Sequence, residues 1–201
     1  EPATCLLIRD KKIITKKKYW EIKYNIDEVK TKDEFADELL VLLENSLSIQ
    51  MRSDVPVGAY VSGGIDSSSV AVLASKNYFG NFKTFSGAFN EGPEFDETEY
   101  SDLLSNKINS EHYKIYPTPD DFSENFEKLV YYMDYPSAGP GLFPQYMVSR
   151  LAREHVKVVL GGQGGDEIFG GYTRYAVAYL EQCVKGAIFQ TQEEGKHVVT
   201  L

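Results

Sequence analysis

The chain has little cysteine, no long hydrophobic run and fewer basic than acidic residues, and each shortage excludes a class of protein. Its two cysteines, Cys5 and Cys183, cannot form a disulfide framework, and they show no metal-ligand spacing to each other or to the three histidines. We expect both to be buried, unreactive thiols. No run of about 18 apolar residues is present and the first residues do not resemble a signal peptide, which predicts a cytoplasmic protein without membrane contact.

The charge balance excludes a protein that wraps nucleic acid. Acidic residues outnumber basic ones by 30 to 21, a net charge of -9, whereas neutralising a phosphate backbone needs an excess of Lys and Arg. Any anionic ligand must therefore be held by a local site. The apolar share of 42% and the charged share of 25% predict a globular protein with a sizeable core. The length of 201 residues fits one large domain, or one domain with extensions.

Helix and strand patterns alternate along most of the chain. Thr31 and Glu34 form a capping box, and apolar residues at helical spacing follow it, which predicts a helix over about 31–50. We interpret the start of the chain as a solvated basic leader that ends in a short strand over YWEIKY, and the residues after about Val184 as polar and patternless. Short strands alternating with helices predict a parallel α/β sheet. The predicted strands are 57–62, 82–89, 111–116 and 156–160, and the predicted helices are 67–76, 97–108, 119–133 (with Thr118 as N-cap) and 142–155.

The segment SGGIDSSS, residues 62–69, joins a predicted strand to a predicted helix. Ligands of parallel α/β sheets bind beyond the carboxyl ends of the strands, so this loop is a candidate site. Its glycines permit close approach of the backbone, Ser62, Ser67 and Ser68 offer hydroxyl groups, and the following helix offers N–H groups at its positive end, which suits a phosphate. The loop lacks the lysine of a Walker A sequence. The alternative is an ordinary strand-to-helix turn.

The segment GGQGGDEIFGGY, residues 161–172, follows the last predicted strand and contains six glycines. If its strand lies beside that of the first loop, Asp166 approaches Asp66 across the strand ends. Two carboxylates that face a phosphate site need a cation between them, and Mg²⁺ held by one or two carboxylates and by phosphate oxygens is the usual arrangement. The alternative is that Asp166 and Glu167 cap the N-terminus of a helix through 168–169.

A third polar segment, EFDETEY, opens the helix after the second predicted strand of the sheet. Asp96 and Glu97 in it are most simply an N-cap and a first-turn acid, both of which the helix dipole favours. A role in positioning a nucleotide or a metal is the second interpretation.

These segments together resemble a known family, the glutamine-hydrolysing asparagine synthetases. DVPVGAYVSGGIDSS resembles the family's pyrophosphate loop, GGQGGDEIFGGY resembles its second nucleotide loop, and FDETEY and EHYKI fall in the family's order. The resemblance covers roughly residues 18–180. It implies an α/β fold of the adenine-nucleotide α-hydrolase (ATP pyrophosphatase) type, with a parallel sheet flanked by helices. It also implies that ATP is cleaved between its α and β phosphates, a carboxylate is adenylated and ammonia displaces AMP.

The resemblance also implies a role for individual residues and a division of the chain. The implied pyrophosphate-binding residues are Ser62, Gly63, Gly64, Ser67 and Ser68; the Mg²⁺ ligands are Asp66 and Asp166; the adenosine contacts are Val61 and Gly87; and the ribose contacts are Gly161 and Gly162. The implied parts are a leader or linker over 1–25, a synthetase domain over 26–184 that is incomplete at its C-terminus, and a polar tail over 185–201.

The chain departs from the family pattern in three respects. Gln163 stands where the family usually has a glutamate associated with forming the aspartyl-adenylate, and an amide carries no charge at pH 7. Cys5 is internal, so we expect no glutaminase activity from this chain. Lys185 and Lys196 do not lie in the context of the family's catalytic lysine, and we therefore expect a fragment that is inactive by itself.

The resemblance favours one function and leaves two alternatives open. The favoured function is an ATP-dependent ligase domain that converts aspartate to asparagine, using ATP, Mg²⁺ and ammonia from a glutaminase domain outside this chain, with a homodimer as a possible assembly. The first alternative, which Gln163 favours, is a relative that adenylates another carboxylate, such as a β-lactam-forming synthetase or a sugar amidotransferase. The second is a degenerate nucleotide-binding module.

Overall fold

A computed structural model describes residues 1–23, 27, 29–89, 92, 98–136, 139 and 141–189. The chain divides into two compact units, Glu1–Val41 and Leu42–Leu201. In the part of the chain described, no helix is both long enough and apolar enough to cross a membrane.

The first unit contains an antiparallel hairpin of strands β1 (Thr4–Arg9) and β2 (Lys12–Lys18). Asp10 and Lys11 form its two-residue turn with φ of 51° and 61°, a left-handed conformation that matches the twist of the strands. The sequence interpretation was wrong here, because the leader is itself a hairpin and residues 19–23 do not form a strand. It was also wrong for Cys5, which is exposed on β1, whereas Cys183 is buried as expected.

Helix α1 (Lys32–Gln50) begins at the predicted capping box and contributes residues to both units. The Thr31 side chain accepts a hydrogen bond from the Glu34 amide at 3.3 Å, and the Glu34 carboxylate accepts one from the Thr31 amide at 2.8 Å. Two of the N–H groups that this helix end leaves free are thereby paired, which confirms the predicted N-terminus.

The second unit contains a parallel four-stranded sheet and the helices that flank it. Its elements in chain order are β3 (Val57–Tyr60), α2 (Ile65–Lys76), β4 (Lys83–Gly87), α3 (Thr98–Lys107), β5 (Glu111–Ile115), α4 (Pro119–Met133), α5 (Leu142–Arg153), β6 (Val158–Leu160), α6 (Gly165–Phe169) and α7 (Thr173–Phe189). The strand order in the sheet is β5-β4-β3-β6. All four strands and the helices α2 to α5 lie where the sequence predicted them, within a few residues at their ends.

Two apolar clusters cover the two faces of this sheet. On one face, the side chains of Val57 and Ala59 pack with Ala71 and Ala74 of α2. On the other, the fully buried ring of Phe85 packs with residues of α5, including Val148. Burial of these side chains stabilises the sheet by about 25 cal/mol per Å² of apolar surface. The predicted fold class, a parallel sheet flanked by helices, is confirmed.

Two helix ends test the sequence interpretation in opposite ways. At α4, the Thr118 side chain accepts from the Asp121 amide at 3.2 Å, and Pro119 occupies the first turn, so this predicted N-terminus is confirmed. Helix α7 runs to Phe189, so residues 185–189 are helical and the expectation of a patternless segment is wrong there. The predicted helix at 97–108 is present from Thr98, whereas Asp96 and Glu97 lie outside the described residues.

Candidate functional site

A cavity of about 490 Å³ opens at the carboxyl end of β3. Strands β4 and β5 lie on one side of β3 and β6 lies on the other, so the chain changes direction across the sheet between β3 and β6. In open α/β sheets such a switch point leaves a crevice in which ligands bind. Both glycine-rich segments, at residues 62–69 and 161–172, contribute to the lining of this cavity.

The first glycine-rich loop is organised by hydrogen bonds between its own serines. The buried Ser67 hydroxyl donates to the Gly64 carbonyl at 3.2 Å and accepts from the Ser62 amide at 3.2 Å. The Ser62 and Ser67 hydroxyls lie 3.0 Å apart, and the Gly64 amide donates to the Ser62 hydroxyl at 3.3 Å. These bonds fix the turn that leads into α2, whose first-turn N–H groups have no partner within the helix and point toward the cavity end of the loop.

The second glycine-rich loop lies directly against the first. A Cβ atom added to Gly162 would lie 2.6 Å from the Ser67 amide nitrogen and 2.8 Å from the Asp66 carbonyl carbon, so only glycine fits there. A Cβ atom on Gly165 would overlap the Asp66 carboxylate. The start of α2 and the second loop are therefore in van der Waals contact, and Asp66 reaches the residue that precedes Asp166.

Backbone conformation, rather than side-chain bonding, shapes the second loop. Gly164 is the N-cap of the five-residue helix α6 with a φ of 97°, and Gly170 ends that helix with a φ of 69°. The alternative in which Asp166 caps this helix is wrong, because Asp166 already lies inside its first turn. A Cβ atom on Gly171 would overlap the Asp166 carboxylate, which shows that this carboxylate folds against the end of the loop.

Glu167 and Tyr172 of the second loop line the cavity and are joined by a hydrogen bond that shifts the pKa of both. The Tyr172 hydroxyl donates to the Glu167 carboxylate at 2.8 Å. This bond lowers the pKa of Glu167 and raises the pKa of Tyr172, because it stabilises the ionised carboxylate and the protonated phenol. At neutral pH the carboxylate is therefore charged and the phenol retains its proton.

Gln163 contacts helix α5 at the lining of the cavity. Its side-chain amide donates to the Gln145 carbonyl oxygen at 3.3 Å, and a Cβ atom on Gly161 would overlap the Gln163 amide. The glycine before the loop thus gives the Gln163 side chain the room to fold back. The exposed Gln163 keeps one edge open to the cavity.

The structure brings most of the residues named from sequence to one cavity. The residues that line it are Val61, Ser62, Gly64, Asp66, Ser67, Gly87, Gly162, Gln163 and Asp166. Gly63 and Ser68 instead line a separate open cleft with α3, next to Tyr100 and Lys107. Gly161 lies below Gln163.

Val61 has little backbone capacity left for a ligand. Its amide donates to the Phe85 carbonyl at 2.9 Å, and its carbonyl oxygen accepts from the Ser86 hydroxyl. A direct ligand contact at Val61 would therefore use the second lone pair of that carbonyl oxygen or the edge of the buried side chain.

Sequence reasoning missed the contribution of α5 and of one strand end. Pro144, Gln145 and Val148 of α5 line the cavity opposite the first loop, and Tyr60 lines it at the end of β3. The amphipathic pattern of α5 predicted a helix packed on the sheet, but nothing in that pattern distinguished the few residues near its N-terminus that reach the strand ends.

The charges of the lining match a cation-bound anion. The described lining holds the carboxylates of Asp66, Asp166 and Glu167 and no Lys or Arg side chain. A polyphosphate would be repelled by such a lining unless divalent cations lay between. Among the described residues, no three His, Cys, Asp or Glu side chains are grouped to hold a metal by themselves. The donor set thus fits Mg²⁺, which uses one or two carboxylates and completes its shell with phosphate oxygens and water.

Comparison with known proteins identifies relatives over most of the chain. Residues 38–198 match the family model described as asparagine synthase. The "Putative asparagine synthetase (glutamine-hydrolyzing) 2" of Methanocaldococcus jannaschii is 40% identical over 171 residues, which are 85% of this chain and 33% of the relative. "Asparagine synthetase (glutamine-hydrolyzing) 1" of Bacillus subtilis is 37% identical over 176 residues, 87% of this chain and 27% of the relative. The chain thus spans about a third or less of the length of these relatives.

Proposed function

The chain belongs to the asparagine synthase family, and on that premise we propose that it is the part of an amide-forming ligase that binds ATP and adenylates a carboxylate. The reaction begins when a carboxylate oxygen attacks the α-phosphorus of ATP. The bond to the bridging oxygen breaks, and pyrophosphate leaves with that electron pair. Ammonia then attacks the acyl carbon of the adenylate, AMP leaves, and the nitrogen releases a proton.

The contact between the two glycine-rich loops carries this proposal. Gly162 lies against the backbone of Asp66 and Ser67, so the second loop forms a wall beside the N-terminal turn of α2. Backbone N–H groups at a helix N-terminus attract phosphate, and the adjacent wall would hold the rest of a nucleotide. A cavity of about 490 Å³ is within the range of small-molecule sites.

In this proposal each part of the lining has a separate task. Among the residues that line the cavity, Ser62, Gly64 and Ser67 would surround the pyrophosphate portion, Val61 and Gly87 would contact the adenosine, and Gly162 would contact the ribose. Gly63 and Ser68 line the neighbouring cleft and Gly161 lies beside Gln163, so we assign these three no direct contact with the nucleotide. Asp66 and Asp166 would hold Mg²⁺, which would neutralise charge on the phosphate oxygens. Fixed backbone dipoles at α2 stabilise the developing charge on the leaving pyrophosphate without having to reorganise.

We propose aspartate as the acceptor and asparagine as the product, with ammonia from a glutaminase domain outside this chain. The names of the relatives support this assignment, since they are called glutamine-hydrolyzing asparagine synthetases. Gln163 supports a different acceptor, because an uncharged amide stands where the family resemblance places a glutamate. A related carboxylate with other substituents is therefore the second candidate.

Pyrophosphate exchange tests the proposal. The protein that carries this chain should incorporate labelled pyrophosphate into ATP only when Mg²⁺ and the right carboxylate are present, because exchange requires reversible cleavage between the α and β phosphates. A panel of aspartate, glutamate and larger β-amino carboxylates identifies the acceptor. Binding of Mg·ATP without exchange for any carboxylate would leave a nucleotide-binding module, and release of inorganic phosphate instead of pyrophosphate would contradict the proposal.

Calorimetry on the 201-residue chain provides the matching binding test. We expect weak binding of Mg·ATP and little binding of ATP in the presence of a chelator, because the carboxylates of the lining repel a polyphosphate when no divalent cation lies between them. Gly162→Val is the matched loss-of-site variant, since its side chain would displace the backbone of Asp66 and Ser67. Steady pyrophosphate release by the isolated chain would show that it is sufficient for catalysis.

A further inference from the structure

A hydrogen-bonded network of four polar side chains connects the rim of the cavity to the end of β3. Gln163 donates to Gln145 at 3.3 Å, the Gln145 amide donates to the Ser149 hydroxyl at 3.3 Å, and the Tyr60 hydroxyl lies 2.8 Å from the same Ser149 oxygen. Gln145 and Ser149 are one turn apart on α5. Their hydrogen bonds to each other and to Tyr60 are partly buried, whereas the bond to Gln163 is exposed.

The Ser149 hydroxyl determines which group donates and which accepts in each hydrogen bond of this network. Its single proton is donated to the Gln145 backbone carbonyl at 2.6 Å. The same oxygen must therefore act as acceptor for Tyr60 and for the Gln145 amide nitrogen. Because the nitrogen of Gln145 faces Ser149, its carbonyl oxygen faces residue 163. Helix α5 thus presents a hydrogen-bond acceptor to the second loop.

An acceptor at this point distinguishes an amide from a carboxylate. Gln163 satisfies it with an N–H group, whereas a glutamate of the same shape would place a charged oxygen against another oxygen. Rotating the Gln145 side-chain amide by half a turn would remove that conflict, but it would place the Gln145 side-chain oxygen against the Ser149 hydroxyl oxygen. That hydroxyl already donates its proton to the Gln145 backbone carbonyl and has none left for the side chain. Either choice leaves one unfavourable pair.

We infer that Gln145 is a positioning residue that selects an uncharged amide at residue 163 and orients it toward the acceptor substrate. This inference rests on the proposed function, since it assigns Gln163 to the acceptor side of the cavity. It goes further in stating that the departure at Gln163 is built into α5 and is not an isolated change. The rest of the ATP site, at the first loop, takes no part in this selection.

Exchanging both partners tests the inference in the protein that carries this chain. Gln163→Glu is compared in three backgrounds: native Gln145, Gln145→Met, which removes the acceptor at similar length, and Gln145→Lys, which supplies a cation. In the native background we expect the KM for the acceptor carboxylate to rise about tenfold, with the KM for ATP within about twofold of native. In the lysine background the acceptor KM should return to within about threefold of native.

The glutamine Gln50 offers a matched control. Its amide donates to the Ser46 hydroxyl at 2.9 Å on the exposed side of α1, a contact like that of Gln145 with Ser149, but neither Gln50 nor Ser46 is among the residues that line the cavity. Gln50→Met should leave both KM values unchanged, whereas Gln145→Met should raise the acceptor KM alone. An equal effect of Gln163→Glu in all three backgrounds would overturn the inference, as would a change confined to kcat or to the KM for ATP.

Thermal melting decides the inference even if the proposed function fails. If no carboxylate supports pyrophosphate exchange, the proposed function is wrong. The effect of residue 145 on the stability change caused by substituting residue 163 can still be measured. Gln163→Glu should lower the melting temperature by about 1–2 °C more in the native background than in the lysine background. Additive shifts would show that the two side chains do not interact and would overturn the inference. A background that fails to fold is replaced by Gln145→Ala, for which the same loss of coupling is expected.

Discussion

The two glycine-rich loops reach the same cavity by different physical means. In the first loop, serine hydroxyls bond to one another and to backbone groups, and a 12-residue helix with a buried face follows. In the second loop, glycines at φ of 97° and 69° bracket a helix of five residues that has no buried side chain. The first loop is therefore held by side-chain bonds, whereas the second is held by backbone conformation and by its contact with the first.

The way in which each loop is held determines which substitutions it tolerates. A loop held by side-chain bonds loses about 1 kcal/mol for each bond removed, but its backbone path survives. A loop held by glycines loses its path when a side chain is added, because the available space at Gly162, or the left-handed backbone conformation at Gly164 and Gly170, does not favour one. Substitutions in each loop therefore probe this contrast.

Gly162→Ala should have the largest effect, since it breaks the contact between the loops. The added methyl group would lie 2.6 Å from the Ser67 nitrogen, and relieving such an overlap costs about 1–3 kcal/mol. We expect nucleotide affinity to fall about tenfold or more, measured by calorimetry alongside urea unfolding. Gly164→Ala is the matched control: at a φ of 97° it has no atom within 4 Å, so backbone strain alone should cost about 1 kcal/mol. Equal losses in both variants would mean that the loops do not interlock.

Asp66→Asn and Asp166→Asn should each remove metal-dependent binding. If both carboxylates hold Mg²⁺, either change should weaken Mg·ATP binding by about 10–100-fold and leave metal-free ATP binding unaffected. The metal-free melting temperature should stay the same or rise slightly, because like-charge repulsion falls. Undiminished Mg·ATP binding by Asp166→Asn would remove Asp166 from the metal site and leave the two loops with unequal roles.

Ser67→Ala should have a moderate effect that is confined to the first loop. It removes the hydroxyl that donates to Gly64 and accepts from Ser62, at an expected cost of about 1 kcal/mol in the free energy of unfolding. Ser69→Ala is the control on the same helix, where the exposed hydroxyl donates to the Ile65 carbonyl in the preceding turn, and a loss of less than about 0.5 kcal/mol is expected. Urea denaturation distinguishes the two, and a Ser69 variant that is the less stable would contradict the assignment.

Tyr172→Phe should have the smallest effect, and it shows as a change in titration. The hydrogen bond to the ionised Glu167 is present above the ordinary carboxyl pKa of 4.5 and is lost as the pH falls through the lowered pKa of the folded state. Without the phenol, the pKa of Glu167 should rise toward 4.5. Carbon NMR of the labelled carboxyl group measures this shift between pH 2 and 6. An unchanged titration would mean that another group holds the Glu167 pKa low.

Sequence reasoning found the sheet and both loops because they depend on local patterns. Apolar strands, capping residues such as Thr118, and clustered glycines are visible within a few neighbouring residues, and the parallel topology then places the loops together. It failed where a distant contact decides the outcome. The bond of Gln163 to Gln145 joins residues that are 18 apart in the chain, and no local pattern indicates it. The hairpin turn at Asp10 and Lys11 was missed for another reason, because neither residue is a glycine although both adopt left-handed φ values.

The place of β6 in the sheet sets the order in which the cavity can form as the chain folds. Val57 of β3 pairs with Val158 of β6, and the elements from α2 to α5 lie between these two residues in the sequence. The pairing of β3 with β6 therefore closes a long segment of chain. Such non-local pairings form late, whereas β3, β4 and β5 can assemble from earlier segments of the chain. A nascent chain would therefore have most of its sheet before it has a cavity. A ligand stabilises only the state that binds it, so it would stabilise the folded chain with its completed cavity and would not stabilise the partly folded chain.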